Sequence, residues 1–313
     1  MLLCAVAVIA AGVAVWPSSA HAARPPVLAS AHVAYDGDLG DPYILALPGQ
    51  YVAFGTGDWP ARIPTATTTD LVNWVRGPDA MPTLPAWATP DPRNSLSWAP
   101  ATIAVGGRYI MYVSLQQASS RRECIAATTS TSPTGPFTDA LGGPLMCQLE
   151  LGGSIDPSVV RDAGGLHLLW KSDGNCCRVP VSLWEQDLRP DGLAMAGTAH
   201  RLLTALQSWQ GGVIENPAMV AAKGGWWLFY SGNVFDTAAY GTGVAFCPTL
   251  TGPCRDDGRY LSTAAREFSP GGLETFRDNR GATWAVFATW TRPSRNGRFY
   301  CCRALDLATL HTS

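Results

Sequence analysis

The sequence predicts an all-β chain folded as a five-bladed β-propeller with four antiparallel strands per blade. Three observations predict it. One hairpin pattern, a strand entrance ending in Pro, an apolar strand, a tight turn and a second strand, is written five times. The copies recur every 56–60 residues, a period that belongs to propellers and solenoids and leaves room for four strands per unit. No long stretch carries a helical period, while 32 Gly and 24 Pro punctuate many short apolar runs.

The third copy is the clearest. Ser154-Ile155-Asp156-Pro157-Ser158-Val159-Val160 runs into the turn Gly164-Gly165 and then Leu166-His167-Leu168-Leu169-Trp170. The first copy starts at Asp41-Pro42 and returns through Tyr51-Val52-Ala53-Phe54. The second starts at Ala99-Pro100 and returns through Arg108-Tyr109-Ile110-Met111-Tyr112-Val113. The fourth starts at Asn216-Pro217, directly after Glu215, and returns through Trp226-Trp227-Leu228-Phe229-Tyr230. The fifth is looser, with Gly272-Leu273 at the entrance. Between copies lie further hairpins, such as Ala66–Trp74 and Cys124–Phe137, read as the outer strands of a blade. A generic β-sandwich with frequent hairpins does not account for five copies at near-constant spacing.

Bulk properties narrow the function classes. Hydrophobic residues make up 47% of the 313 residues and charged ones 15%, as in a packed globular protein. A net charge of −2 provides no basic face for nucleic acid. Residues 1–22 read as a signal peptide, with an apolar run and the small-x-small site Ala20-His21-Ala22. Residues 23–32 read as a lead-in without periodicity, and 33–313 as the propeller domain. No later stretch is long and apolar enough to cross a membrane, so a secreted monomer is expected.

Export fits the cysteines. Cys4 leaves with the signal peptide, and the others become disulfides in an oxidising compartment. Cys247 with Cys254, and Cys124 with Cys147, are placed to pair. Cys176-Cys177 and Cys301-Cys302 are left over; neighbouring cysteines rarely pair with each other, so one cross-link between the two dipeptides is an option, and the sequence alone does not fix the connectivity. No Cys-x-x-Cys or Cys/His spacing supports zinc. His32, His167, His200 and His311 are scattered without ligand spacing, and His167 reads as an ordinary strand residue. Ser154 and Ser158 lack the setting of a serine nucleophile. The Gly pairs lack the strand-to-helix context of a phosphate loop.

The repeat concentrates the acids. A propeller sets the innermost strand of every blade beside the central axis, so equivalent entrance positions face one another. Those positions hold Asp41, Ala99, Asp156, Asn216 and Gly272, with Glu215 one residue before the fourth. Three carboxylates from three blades thus point toward one funnel. Inverting glycoside hydrolysis needs two carboxyl groups roughly 6.5–9.5 Å apart, one to protonate the leaving oxygen and one to activate water. A third nearby carboxylate keeps the acid protonated by like-charge repulsion.

At these residues the chain resembles glycoside hydrolase family 43, the five-bladed propeller arabinanases, arabinofuranosidases and xylosidases. The carriers are Asp41-Pro42 with Tyr51-x-x-Phe54-Gly55-Thr56, then Ser97-Trp98-Ala99-Pro100 and Ser154-Ile155-Asp156-Pro157. Ile214-Glu215-Asn216-Pro217 with Phe229-Tyr230-Ser231 completes the set. The resemblance implies that Asp41 is the general base, Glu215 the general acid, and Asp156 the residue that tunes and orients Glu215. It implies that Trp98 lines the sugar subsite and that Asn216 contacts the sugar or braces Glu215. Trp59 is placed to extend the sugar platform or to pack. The implied substrates are arabinan, arabinoxylan or similar oligo- and polysaccharides.

Some positions depart from the family. Ala101 stands where an acidic residue is frequent. Ser269-Pro270-Gly271-Gly272 lacks the His that many members place near an axial cation, and Phe287-Ala288 replaces an aromatic-His dipeptide. These departures weigh against a bound calcium, and no cofactor is expected. The function implied is a secreted, inverting, α-L-arabinofuranosidase-like glycosidase. The alternatives are a β-xylosidase or endo-arabinanase of the same family, or a non-catalytic carbohydrate-binding propeller. A retaining fructosidase-type propeller is disfavoured by Gly40 before Asp41 and Ile155 before Asp156.

Overall fold

In the computed structural model the described residues are 24–57, 60–93, 96–264, 268–292 and 294–312. The proposed signal peptide lies outside them. Five four-stranded antiparallel sheets form the chain. Blade one holds β2 (Tyr43–Leu47), β3 (Gln50–Phe54), β4 (Thr65–Thr68) and β5 (Val75–Arg76). Blade two holds β6 (Ser97–Val105), β7 (Arg108–Gln116), β8 (Glu123–Ser130) and β9 (Thr138–Asp139). Blade three holds β10 (Ser154–Arg161), β11 (Leu166–Ser172), β12 (Ser182–Leu188) and β13 (His200–Thr204). Blade four holds β14 (Ile214–Ala222), β15 (Gly225–Gly232), β16 (Gly241–Cys247) and β17 (Arg255–Ser262). Blade five is composite: β18 (Phe268–Arg277), β19 (Thr283–Trp290) and β20 (Arg303–His311) are completed on the outside by β1 (Val27–Tyr35).

That outer strand corrects one boundary of the sequence reading. Residues 27–32 are not a lead-in but the start of β1, which pairs antiparallel with β20 from Val27↔His311 to Tyr35↔Leu305. The register shifts twice along this pair, which breaks the simple alternation that marks a strand in sequence. Pairing the first strand with the last closes the ring.

The inner hairpins form for local reasons. The β6–β7 turn is Gly106-Gly107, both at positive φ (57° and 82°), as a two-residue hairpin connection requires. The flanking runs Thr102-Ile103-Ala104 and Tyr109-Ile110-Met111 supply the β-branched and aromatic residues that suit a pleated, buried surface. Edge strands β5 and β9 are two residues each, which limits the unpaired backbone offered to other chains.

The core lies between blades, one apolar cluster per interface. Phe54, Met81, Val113 and Phe137 fill the space between blades one and two. Tyr112, Trp170 and Leu188 follow between two and three. Leu169, Leu228 and Tyr230 pack between three and four. Trp227, Phe229 and Phe287 pack between four and five. Ile44, Tyr51, Val286 and Leu305 lie between five and one. Strands β2, β6, β10, β14 and β18 adjoin one another around the axis. Among the described residues no helix is long and apolar enough to cross a membrane.

Four disulfides are present. Cys124–Cys147 and Cys247–Cys254 pair as expected. The two dipeptides close on themselves rather than on each other: Cys176 pairs with Cys177 and Cys301 with Cys302. The first dipeptide lies in blade three after β11, the second in blade five before β20.

Candidate active site

The five entrance positions share an unusual backbone. Asp41, Ala99, Asp156, Asn216 and Gly272 all adopt left-handed φ, at 47°, 46°, 55°, 49° and 63°. The ladder register breaks at this point in β6, β10, β14 and β18. Such a bulge leaves one residue unpaired and re-aims its side chain. A non-Gly residue in this region carries about 1–3 kcal/mol of strain, which surrounding contacts must offset.

Those contacts repeat as well. A hydroxyl from the preceding blade accepts the bulge N–H: Thr56 Oγ1 from Ala99 at 3.0 Å, Ser114 Oγ from Asp156 at 3.0 Å, and Ser231 Oγ from Gly272 at 2.8 Å. The fourth blade differs. Asn216 N–H donates to Asp156 Oδ2 at 3.1 Å, so the third acid is fastened to the bulge beside Glu215. Gly272 leaves room for the first acid, since a Cβ there would lie 3.0 Å from Asp41 Cα and 3.2 Å from Asp41 Oδ1.

The acids meet in a cleft of about 420 Å³ at one end of the axis. Asp41, Asp156, Glu215, Asn216 and Trp98 all line it, so the predicted residues converge. Trp59 lies outside the described residues. Asp41 Oδ2 accepts from the Thr56 hydroxyl and from Arg303 Nη1 at 3.1 Å. Glu215 Oε2 accepts from Lys171 Nζ at 3.0 Å, and Glu215 Oε1 lies 2.8 Å from Tyr240 Oη. Tyr240 Oη is also 3.2 Å from Asn216 Oδ1, while Asn216 Nδ2 reaches Asp41 Oδ1 at 3.5 Å. Asn216 and Tyr240 therefore link Asp41 to Glu215 by a chain of polar contacts. Tyr240 has one phenolic proton. When Glu215 is protonated, it can donate to Tyr240 Oη while Tyr240 donates to Asn216.

The charges divide unevenly. Burial pushes the Asp156 carboxyl well above the usual carboxylate range, the Glu215 charge adds to this, and Lys171 pulls against it. Burial opposes the Lys171 charge, but Glu215, Asp156 and Asp173 outweigh it and hold the ammonium protonated. Burial also lifts Tyr240, helped by the Glu215 and Asp41 charges, which keeps it a neutral donor.

Sequence reasoning missed Thr56, Lys171, Tyr240, Arg303 and Phe235. Only Thr56 carried a signal, as the end of Tyr51-x-x-Phe54-Gly55-Thr56. The others reach the cleft from outside the inner strands: Lys171 from β11, Tyr240 just before β16, Arg303 at the start of β20. Phe235 lines the cleft and stacks on Trp290 at 6.2 Å, with the Arg303 guanidinium 6.0 and 5.7 Å from the two rings. With Trp98 it gives the cleft flat apolar surface of the kind that sugar rings stack on.

Below the cleft the axis holds a cavity of about 20 Å³, lined by the entrance positions, three of the entrance prolines and Glu274. That is room for about one water. Burial pushes Glu274 up to about 8. Where the resemblance places a His, Gly272 contributes no donor. Among the described residues, the axis does not bring three His, Cys, Asp or Glu ligand atoms within reach of one ion.

A five-bladed ring with opposed carboxylates over an aromatic-lined cleft is the architecture of a propeller glycosidase. The chain belongs to glycosyl hydrolases family 43, whose model matches residues 32–309. A thermostable family-43 glycoside hydrolase superposes with a TM-score of 0.76 at 21% identity, covering 88% of this chain and 90% of that one. The endo-arabinase from Bacteroides thetaiotaomicron superposes with a TM-score of 0.71 at 18% identity, covering 90% and 97%. The β-D-galactofuranosidase xynD of Aspergillus niger is 26% identical over 198 residues, 59% of this chain and 52% of that enzyme. The chain thus spans about half the length of that relative.

Proposed function

We propose that the chain hydrolyses pentose-type glycosidic bonds by inversion, as an α-L-arabinofuranosidase-like enzyme. Asp41 is the proposed base. Its carboxylate, held by Thr56 and Arg303, takes a proton from the attacking water. Glu215 is the proposed acid and protonates the leaving oxygen from the other side of the cleft. Asp156 is the proposed tuning group, tied to Asn216 N–H and sharing the field of Lys171 with Glu215. Trp98 supports the sugar, and Asn216 braces the two reacting carboxylates. Trp59 extends the platform in this reading. The observation that carries the proposal is the Asp41–Asn216–Tyr240–Glu215 chain of contacts, which sets two carboxyl groups across one cleft with neither blocking the other.

The cleft and the relatives support the substrate class. About 420 Å³ lies in the range of small-ligand sites, which suits a short glycoside or the end of an arabinan or arabinoxylan chain. The galactofuranosidase relative favours a furanose ring. β-D-Galactofuranose and α-L-arabinofuranose share their ring configuration and differ by one exocyclic hydroxymethyl group. A panel of aryl α-L-arabinofuranoside, β-D-galactofuranoside and β-D-xylopyranoside tests the reading. Furanoside hydrolysis above xyloside hydrolysis supports it. Xyloside preference selects the β-xylosidase alternative. Oligosaccharide binding without hydrolysis of any of the three overturns it in favour of a binding propeller.

We also propose that the enzyme works outside the cell, after cleavage following Ala22. Eight cysteines paired as disulfides support an oxidising compartment. N-terminal sequencing of exported protein tests this, with Ala23 as the expected first residue and an intact Met1 contradicting it.

A further inference from the structure

At the far end of blade three from the cleft, His167 of β11 lies among three carboxylates. Its Nδ1 is 3.0 Å from Glu185 Oε1 and 3.0 Å from Asp187 Oδ1, both on β12. Its Nε2 is 3.1 Å from Asp162 Oδ1 in the turn after β10. The register pairs His167 with Asp187 and Leu169 with Glu185, so all three side chains project from one face of the sheet. One atom each from His167, Glu185 and Asp187 falls within 4.8 Å of the others.

We propose that His167, Glu185 and Asp187 form a binding site for a first-row divalent transition ion, zinc in particular, separate from the glycosidase cleft. Three observations carry this. First, Glu185 is fully buried, yet its Oε2 has no hydrogen-bond partner. A bare buried carboxylate oxygen is costly, and a cation chelated by both Glu185 oxygens satisfies it. Second, two carboxylates converge on one ring nitrogen, which has a single proton to give. Among the described salt bridges, His167 is the one cation facing Asp162, Glu185 and Asp187. An imidazolium leaves that group with a surplus of negative charge, and a dication bound in place of the Nδ1 proton reduces it.

Third, the spacing is close to what a metal needs. Tetrahedral zinc with bonds of about 2.0–2.1 Å sets ligand atoms about 3.3 Å apart. The two 3.0 Å edges at Nδ1 need to open by only a few tenths of an ångström, and the third edge, between the carboxylate oxygens, lies within 4.8 Å. Nε2–H continues to donate to Asp162, the outer carboxylate that usually orients a metal-bound imidazole. One nitrogen and two carboxylates suit zinc better than calcium, which takes six to eight oxygens. Asp187 is 55% exposed on its side chain, so solvent completes the coordination. The ligands come from adjacent strands, and the bound ion clips β11 to β12.

Isothermal titration of untagged, EDTA-treated full chain with zinc chloride, and separately with calcium chloride, tests the site. The expected result is saturable binding of one zinc per chain, a raised melting temperature, and no competition from calcium. Asp187→Asn, at a half-exposed position, preserves the fold and is expected to weaken zinc at least tenfold and abolish the melting shift. His167→Gln is expected to do the same, and Asp162→Asn to weaken binding about tenfold. Aryl-glycoside hydrolysis by Asp187→Asn is expected to match wild type. The proposal is overturned by folded wild-type protein that shows no saturable zinc binding, by equal zinc binding in Asp187→Asn, or by preference for calcium.

Discussion

At the scale of single residues, the site depends on where each proton rests. Burial and the Glu215 charge hold Asp156 well above its ordinary value of 3.8. The folded chain therefore binds that proton more tightly than the unfolded chain does. The stability this contributes is complete below about pH 3.8 and is lost as pH rises through the folded value. Asp156→Asn keeps an acceptor for Asn216 N–H and removes the charge. Thermal melts are expected to show the variant more stable than wild type at pH 8 and level with it at pH 3, although its activity falls. A variant less stable at pH 8 would contradict the burial argument. For Glu215→Gln, kcat on glycosides with poor leaving groups is expected to fall roughly 10²–10⁴-fold. Activated aryl glycosides, which need no proton on departure, should lose much less. Equal losses on both would remove Glu215 from the role of acid.

At the scale of the element, the recurring bulge on the inner strands is what turns backbone into a site. The equivalence of Asp41, Ala99, Asp156, Asn216 and Gly272 is legible in the sequence because the period fixes the register, whereas the bulge and the left-handed φ that all five share appear only in the structure. Lys171, Tyr240 and Arg303 were not legible. Each reaches the cleft from a second or third strand or a loop, where no repeated position marks it. The adjacent-cysteine bridges and the His167 cluster were hidden for a related reason, since turns and cross-strand neighbours leave no spacing signal. Gly272 shows how closely the bulges are fitted. Gly272→Ala places a methyl group 3.0 Å from Asp41 Cα at a φ of 63°. It is expected to lower stability by about 1 kcal/mol or more and to lower kcat by displacing Asp41. Denaturant melts and kinetics check both, and an unchanged kcat would separate Gly272 from the positioning of the base.

At the scale of the molecule, the ring is held by five interblade cores and closed by β1 on β20. Removing residues through Tyr35 strips the outer strand of blade five, bares the β20 edge and unpacks Leu28 from its cluster. Such a truncation is expected to melt lower and to aggregate, through the exposed strand edge. A truncated chain that melts with wild type would show that closure lies elsewhere. Blade count and strand order were legible because spacing records them, whereas closure by the first strand was masked by the register shifts in β1. The ring carries Asp41 and Glu215 on different blades, linked through Asn216 and Tyr240; in the proposed inverting reaction, water attacks the sugar from the Asp41 side. Proton NMR of the first sugar released from an aryl α-L-arabinofuranoside tests this most directly. The β-anomer appearing first, followed by mutarotation, is the predicted result, and an α-anomer appearing first would contradict it.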